Sequence, residues 1–230
     1  MFTRSRAVAL FVLVGLCAPV IAHADETVEL FNGKDFTGWT KRGGKATYKI
    51  ENGEIIGQSA PNTTNTFLCT EKDYRDFELE YDFKISDQDF NSGVQIRSHA
   101  RPEKDEERVY GYQIEIDPKP RAFTGGIYFE GGSKDQDGKW IRKGMWLQDL
   151  SQNAAARKAF RLGEWNHIRV VATGRRLQTW VNGVPAADYT DDDDKAFTPA
   201  GFIALQVHAV GGSKDTKEVR WKNIKLKELK

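Results

Sequence analysis

The sequence predicts an all-β protein, two antiparallel sheets packed face to face, and three observations carry that expectation. In Phe77-Glu78-Leu79-Glu80-Tyr81-Asp82-Phe83-Lys84-Ile85, apolar and charged residues alternate without a miss. A strand with one buried face needs this period of two, whereas a helix would scatter the same residues around its circumference. Asn-Gly pairs stand at Asn52-Gly53 and Asn182-Gly183, and each predicts a tight hairpin, because these residues adopt positive φ at least cost. Helical character is confined to residues 152–160, short and alanine-rich, while glycine recurs at loop spacing throughout.

From the start of the chain, residues 1–24 have the parts of a secretory signal: Arg4 and Arg6, an apolar run over 7–21, and Ala22-His23-Ala24 before Asp25. Cleavage would leave residues 25–230 as one domain, periplasmic or secreted. No stretch reaches the roughly 20 apolar residues of a membrane span, so no membrane insertion is expected. Cys17 falls in the signal, which leaves Cys69 alone in Thr66-Phe67-Leu68-Cys69. That setting predicts a small buried hydrophobe on a strand. From Trp165 onward, strands over 168–172, 177–181, 201–207 and 219–229, with turns at Gly174 and Asn182-Gly183, read as a meander.

Charge narrows the choice of partner. With 34 Lys and Arg against 33 Asp and Glu, the formal net charge is +1. The two signs are interspersed, so there is no field to gather nucleic acid or anionic lipid. Two local clusters read as loops. Asp135-x-Asp137-Gly138 opens like a calcium loop but lacks the bidentate Glu at the required distance, which predicts a solvated turn. The block from Asp191 to Asp194 predicts an exposed, protease-sensitive loop.

Four short segments differ from an ordinary solvated strand face: Val94-Gln95-Ile96-Arg97, Tyr112-Gln113-Ile114-Glu115-Ile116-Asp117, Ile127-Tyr128-Phe129-Glu130 and Leu205-Gln206-Val207-His208. Each alternates apolar residues with directional hydrogen-bonding groups. As neighbours in one sheet, they would present Gln95, Arg97, Gln113, Glu115, Asp117, Tyr128, Glu130, Gln206 and His208 on a single face. Such a platform suits sugar hydroxyls, which both donate and accept. Trp146, Trp140 or Tyr128 would cover an apolar sugar face. Glu115 and Asp117, two apart on one strand, form a pair able to split its pKa values for acid/base work. His208 adds a group that titrates near neutrality, and Arg97 a donor for a developing oxyanion.

The chain also resembles, nearly end to end, the 3-keto-disaccharide hydrolase family. The ordered segments that carry the resemblance are Leu30-Phe31-Asn32-Gly33-Lys34-Asp35-Phe36-Thr37-Gly38-Trp39, Tyr74-Arg75-Asp76-Phe77-Glu78-Leu79, Asn91-Ser92-Gly93-Val94 with Arg97, and Gly111-Tyr112-Gln113-Ile114-Glu115-Ile116-Asp117, followed by Thr124-Gly125-Gly126-Ile127-Tyr128, Gly163-Glu164-Trp165-Asn166, Leu205-Gln206-Val207-His208 and Arg220-Trp221-Lys222-Asn223-Ile224. The resemblance implies a concanavalin A-like jelly roll that cleaves glycosides already oxidised to a ketone at sugar carbon 3. It implies Glu115, Asp117 and His208 as the proton-transfer groups, with the division among them open. Gln95, Arg97, Gln113, Tyr128, Glu130, Trp146 and Gln206 would bind the carbohydrate. No cofactor is expected, and Glu115, Asp117 and His208 lack the tight spacing of a metal site. Two departures stand out. Gln113 and Glu115 exchange the order common in the family, and residues 131–145 form a longer segment before Trp146.

Two other readings use the same face. An ordinary retaining glycosidase would need Glu-x-Asp-x-x-Glu; Glu115 and Asp117 supply the first half, but Pro120 stands at the last position. A lectin-like module would bind sugar without needing the carboxylates and His208 to converge.

Overall fold

The computed structural model describes residues 26–230, so the signal-peptide reading lies outside the described residues. The strands run Thr27–Glu29 (β1), Trp39–Gly43 (β2), Thr47–Glu51 (β3), Glu54–Gln58 (β4), Thr66–Thr70 (β5), Phe77–Ile85 (β6), Ser92–Glu103 (β7), Glu106–Ile116 (β8), Ile127–Glu130 (β9), Ser133–Lys134 (β10), Trp140–Arg142 (β11) and Met145–Gln148 (β12). After the one helix among the described residues, Ala154–Ala159 (α1), come Asn166–Thr173 (β13), Arg176–Val181 (β14), Val184–Thr190 (β15), Phe202–Val207 (β16) and Glu218–Glu228 (β17). The front sheet has the order β12-β9-β8-β7-β16-β5-β2, and the back sheet β15-β14-β13-β6-β17-β4-β3, with β1 also paired to β17. The expected two-sheet antiparallel sandwich is therefore the fold.

Alternation explains both sheets. In β6 every apolar residue, from Phe77 to Ile85, is buried and every charged one is half-buried. Its outward side is an ordinary ion-paired face, with Glu78 against Arg169 and Asp82 against His167. The core lies between Leu79, Tyr81, Phe83 and Trp221 of the back sheet and Val94, Ile114, Phe129 and Leu205 of the front sheet. Both Asn-Gly pairs turn hairpins, with φ of 52° and 76° at Asn52 and Gly53, and 49° and 81° at Asn182 and Gly183. Two consecutive positive φ angles match the right-handed twist of the flanking strands. Cys69 is buried as expected, but in a small outer cluster with Phe67, Val109, Phe202 and Ala204 rather than in the main core.

The predicted meander needs correction. β13, β14 and β15 are consecutive neighbours, but β16 crosses to the front sheet between β7 and β5, and β17 returns to the back sheet between β6 and β4. Strand periodicity is the same in either sheet, so it cannot report which partner a strand takes. The crossing matters for the site, because it lays β16 beside β7 and so brings β9, β8, β7 and β16 together as four adjacent strands.

Candidate functional site

Register places the polar side chains in two rows across the outer face of the front sheet. Tyr128 pairs with Trp146 on one side and Gln113 on the other, and Gln113 pairs with Gln95. In the next row Glu115 pairs with Gly93, and Gly93 with Gln206. Gly93 is needed where it stands: a Cβ there would come within 2.5 Å of Gln113 Cδ. The Gln113 side chain lies across this gap and reaches Glu115.

A directed chain of hydrogen bonds ends on Glu115. Ser98 Oγ donates to Gln95 Oε1 at 2.7 Å, Gln95 Nε2 to Gln113 Oε1 at 2.5 Å, and Gln113 Nε2 to Glu115 Oε2 at 2.7 Å. Asn91 Nδ2 donates to the other oxygen, Oε1, at 3.0 Å. A carboxylate can only accept, so it sets the orientation of each amide behind it. Glu115 is only 3% exposed. Burial raises its pKa from 4.5 to about 7, against the pull of the Gln113 and Asn91 hydrogen bonds and with a further push from the charges of Asp117 and Glu130.

Asn91, Gln113, Glu115, Arg121, Tyr128, Glu130, Trp146 and His208 line one cavity of about 230 Å³ over these rows. His208 Nδ1 lies 2.8 Å from the Ala209 carbonyl oxygen, so it carries the proton and leaves Nε2 free to exchange one with a ligand. Tyr128, its pKa raised by burial and by the charges of Glu130 and Glu115, remains a neutral phenol. Glu130 accepts from Arg108 and from Asn65, both at 3.2 Å. Asn65 in turn accepts from the Ala209 backbone N–H at 2.9 Å, which ties the Glu130 side of the cavity to the His208 side. Trp146 packs edge-on against Tyr128 at 5.4 Å and Phe123 at 5.5 Å. It lines the site despite the long segment before it.

Four sequence-nominated residues do not line the cavity. Arg97 leaves the face altogether. β7 carries one extra residue between Ile96 and His99, and Arg97 sits there at φ 44°, so alternation breaks and its side chain turns aside. Its guanidinium donates to the Arg75 and Gly174 carbonyls and to Asp76 Oδ1, with no exposure to solvent. Arg97 is a buried tie to the connections of the back sheet. Asp117 is buried beside the face, and its Oδ2 accepts from Arg121 Nε at 2.5 Å, which makes it a positioning group for Arg121. Gln95 stands one step behind Gln113 in the hydrogen-bond chain. Gln206 is fully buried, and neither of its side-chain polar atoms has a hydrogen-bond partner among the described residues.

Asn91 and Arg121 are the cavity residues that strand alternation could not nominate, since both lie on connections. Arg121 also approaches the rings of Phe123 and Trp146 at 5.4 and 5.5 Å, so its guanidinium is oriented by Asp117 and two aromatic faces. The guanidinium that lines the cavity is thus that of Arg121 and not that of Arg97. Asp135-x-Asp137-Gly138 forms a turn in which Asp135 Oδ1 accepts from the Asp137 and Lys139 backbone N–H groups. Among the described residues, no group of three or more His, Cys, Asp or Glu side chains is placed to hold a metal ion.

A family model described as a 3-keto-alpha-glucoside-1,2-lyase-like domain matches residues 26–227. No curated protein matches the chain. Solved structures share the fold. A candidate glycosyl hydrolase from Parabacteroides distasonis ATCC 8503 is similar at 20% identity and a TM-score of 0.58, over 89% of this chain and 94% of that one. A Bacillus subtilis protein of unknown function with a galectin-like fold gives 10% identity and 0.58, over 88% and 94%. A carbohydrate-binding module from Bacillus subtilis gives 15% and 0.54, over 83% and 96%. At these identities the likeness is one of fold.

Proposed function

The chain belongs to the 3-keto-alpha-glucoside-1,2-lyase-like family, and from that premise we propose that it cleaves 3-keto-glycosides, outside the cytoplasm, in the polar cavity of its front sheet. The observation that carries this reading is Glu115, a buried carboxyl with both oxygens held by amide donors and a pKa of about 7. A ketone at C3 acidifies the proton on C2. Glu115 as carboxylate takes that proton, and the C2–H electrons pass into an enolate on O3. As the C3 carbonyl re-forms, a C1–C2 double bond appears and the C1–O bond breaks. The leaving oxygen takes a proton from Nε2 of protonated His208. Addition of water across the new double bond completes a net hydrolysis.

The remaining groups suit the charge that develops. Arg121, fixed by Asp117, faces the enolate oxygen, and Tyr128 and Gln113 hold sugar hydroxyls. The amide donors on Glu115 favour its ionised form while burial opposes it, so the base rests near its own midpoint at neutral pH, where general-base catalysis is most effective.

The test is to incubate residues 25–230 with a 3-keto-glucoside and with the unoxidised parent. Cleavage of the keto form alone is expected, with kcat/KM rising through pH about 7 as Glu115 ionises. Glu115→Gln is expected to lose roughly 10²–10⁴ of the rate. Cleavage of the parent would instead indicate an ordinary glycosidase, and binding without turnover a lectin-like module.

A further inference from the structure

The bulge in β7 that turns Arg97 away also decides where Ser98 lies. Gln95 and Ser98 are three residues apart and would face opposite ways along a regular strand. With Arg97 and Ser98 both set against Gly111 of β8, the alternation is reset and Ser98 joins Gln95 on the outer face. Gly111 leaves the room: a Cβ there would stand 2.4 Å from Ser98 Oγ and 2.9 Å from Ser98 Cα. Gly93 does the same for Gln113 at the other end. Ser98, Gln95 and Gln113 thus lie flat on the sheet between two glycines, none of them more than 1% exposed.

A buried amide chain of this kind has two directions. In one, each amide offers an N–H toward Glu115; in the other, a carbonyl oxygen faces the carboxylate and repels it. No solvent reaches Gln95 or Gln113 to settle the direction, so the two ends of the chain set it. Glu115 sets it only while ionised, since a protonated carboxyl both donates and accepts. Ser98 sets it in either state. Its hydroxyl has one proton and three acceptors within reach, Gln95 Oε1 at 2.7 Å, the Ile96 carbonyl at 3.0 Å and the Tyr112 carbonyl at 3.4 Å, and the shortest of these points the chain toward Glu115.

We propose that Ser98 is a positioning residue for Glu115: acting through Gln95 and Gln113, its hydroxyl holds the Gln113 amide N–H against the carboxylate and keeps the ionised form the better bonded one. Donation passed along a hydrogen-bonded chain strengthens each bond in it, so the effect reaches Glu115 although Ser98 does not line the cavity. Favouring the ionised form leaves the carboxyl able to take a proton near neutrality, against a burial that pushes the other way. That this proton comes from sugar C2 rests on the proposed function; the positioning itself does not. The titratable groups facing Glu115 are Asp117 on its own strand, Tyr128 and Glu130 on β9, Arg121 on the connection after β8 and His208 beyond β16. Ser98→Ala alters none of them.

The experiment follows the Glu115 side-chain carboxyl by carbon-13 NMR against pH in the ligand-free protein, its signal identified by its loss in Glu115→Gln. The unaltered protein is expected to titrate at about 7. Ser98→Ala should move that midpoint up by roughly half to one pH unit, the worth of one weakened hydrogen bond to the charged form, and Gln95→Leu at least as far. Thr70→Val removes another buried hydroxyl of the same sheet, one that donates to the Lys72 carbonyl and accepts from the Ile203 N–H, and should leave the midpoint in place. On a 3-keto-glucoside, the rising limb of kcat/KM against pH should move with the carboxyl, a loss of about three- to tenfold at pH 6 in Ser98→Ala. A midpoint that neither Ser98→Ala nor Gln95→Leu moves, or that Thr70→Val moves as far, overturns the positioning role even where keto-glycosides are cleaved. A midpoint raised by Ser98→Ala and Gln95→Leu alone, in a protein that does not turn keto-glycosides over, upholds the positioning role and overturns the catalytic reading.

Discussion

Ionising Glu115 works against folding, because burial has raised its carboxyl from 4.5 to about 7. A raised acid contributes fully while it is protonated, below its unfolded value, and that contribution is lost as pH rises through the folded value. At 3% exposure the loss is on the order of 3 kcal/mol at most by linkage. Glu115→Gln removes the titration. The stability of the variant relative to the unaltered protein should therefore increase by about 1–3 kcal/mol between pH 5 and pH 8.5. Urea unfolding at the two pH values checks this, and a constant difference would mean that the carboxyl is not raised. At this scale the sequence was informative wherever alternation held: Gln113, Glu115, Tyr128, Glu130 and His208 all reached the cavity. It misled at Arg97, since one inserted residue reverses a side chain and a bulge leaves no periodic trace. It was silent on Asn91 and Arg121, whose connections have no period from which to infer direction.

At the scale of elements, the longer segment at 131–145 depends on a residue whose surroundings the sequence disguised. The acidic block at 191–194 predicts a solvated loop, and Asp192, Asp193 and Asp194 are exposed. Asp191 instead is buried, anchoring Arg142 and accepting from Tyr112. Burial alone would raise its pKa, but the Arg142 and Tyr112 hydrogen bonds prevail and hold it below the ordinary 3.8. A depressed acid stabilises the fold above its unfolded value, and the contribution is lost as pH falls through the folded value. This part of the stability should therefore weaken only below about pH 4. Asp191→Asn removes the buried carboxylate and leaves Arg142 only the more exposed Asp193, at 3.3 Å, as counter-charge, which should cost at most about 3–5 kcal/mol. Urea unfolding at pH 7 measures that cost, and a midpoint shift worth less than 1 kcal/mol would show that the pair is not buried in solution. Like charge in a row is normally solvated; which member folds inward is decided by a partner some 50 residues away, beyond the reach of local pattern.

On the scale of the whole molecule, the site exists because two sheets pack closely enough to fix β16, the strand that ends one residue before His208. Two-sheet architecture was legible from the alternation of β6 and from the turns, because burying one face demands a second layer. Strand order was not, since neither the apolar run of β16 nor the alternation of β17 reports which neighbours the strand takes, and the two lie in opposite sheets. Their contact passes through Gly57 of β4: a Cβ there would stand 2.4 Å from Val207 Cγ2 on β16 and 3.0 Å from Trp221 Cζ3 on β17. Val207 directly precedes His208, so a methyl group at Gly57 has to displace either the inter-sheet packing or the strand that carries the candidate acid. Gly57→Ala should destabilise the fold by about 1–3 kcal/mol, the usual cost of overpacking a dense core. Urea unfolding at constant m checks the direction. Because Val207 and His208 are adjacent, kcat/KM on a 3-keto-glucoside should fall with it, while Gly53→Ala, in a hairpin turn with nothing within 4 Å of its Cβ, should disturb only local backbone strain. A Gly57→Ala variant of unchanged stability would mean that the sheets lie farther apart at this point than the packing of Gly57, Val207 and Trp221 requires.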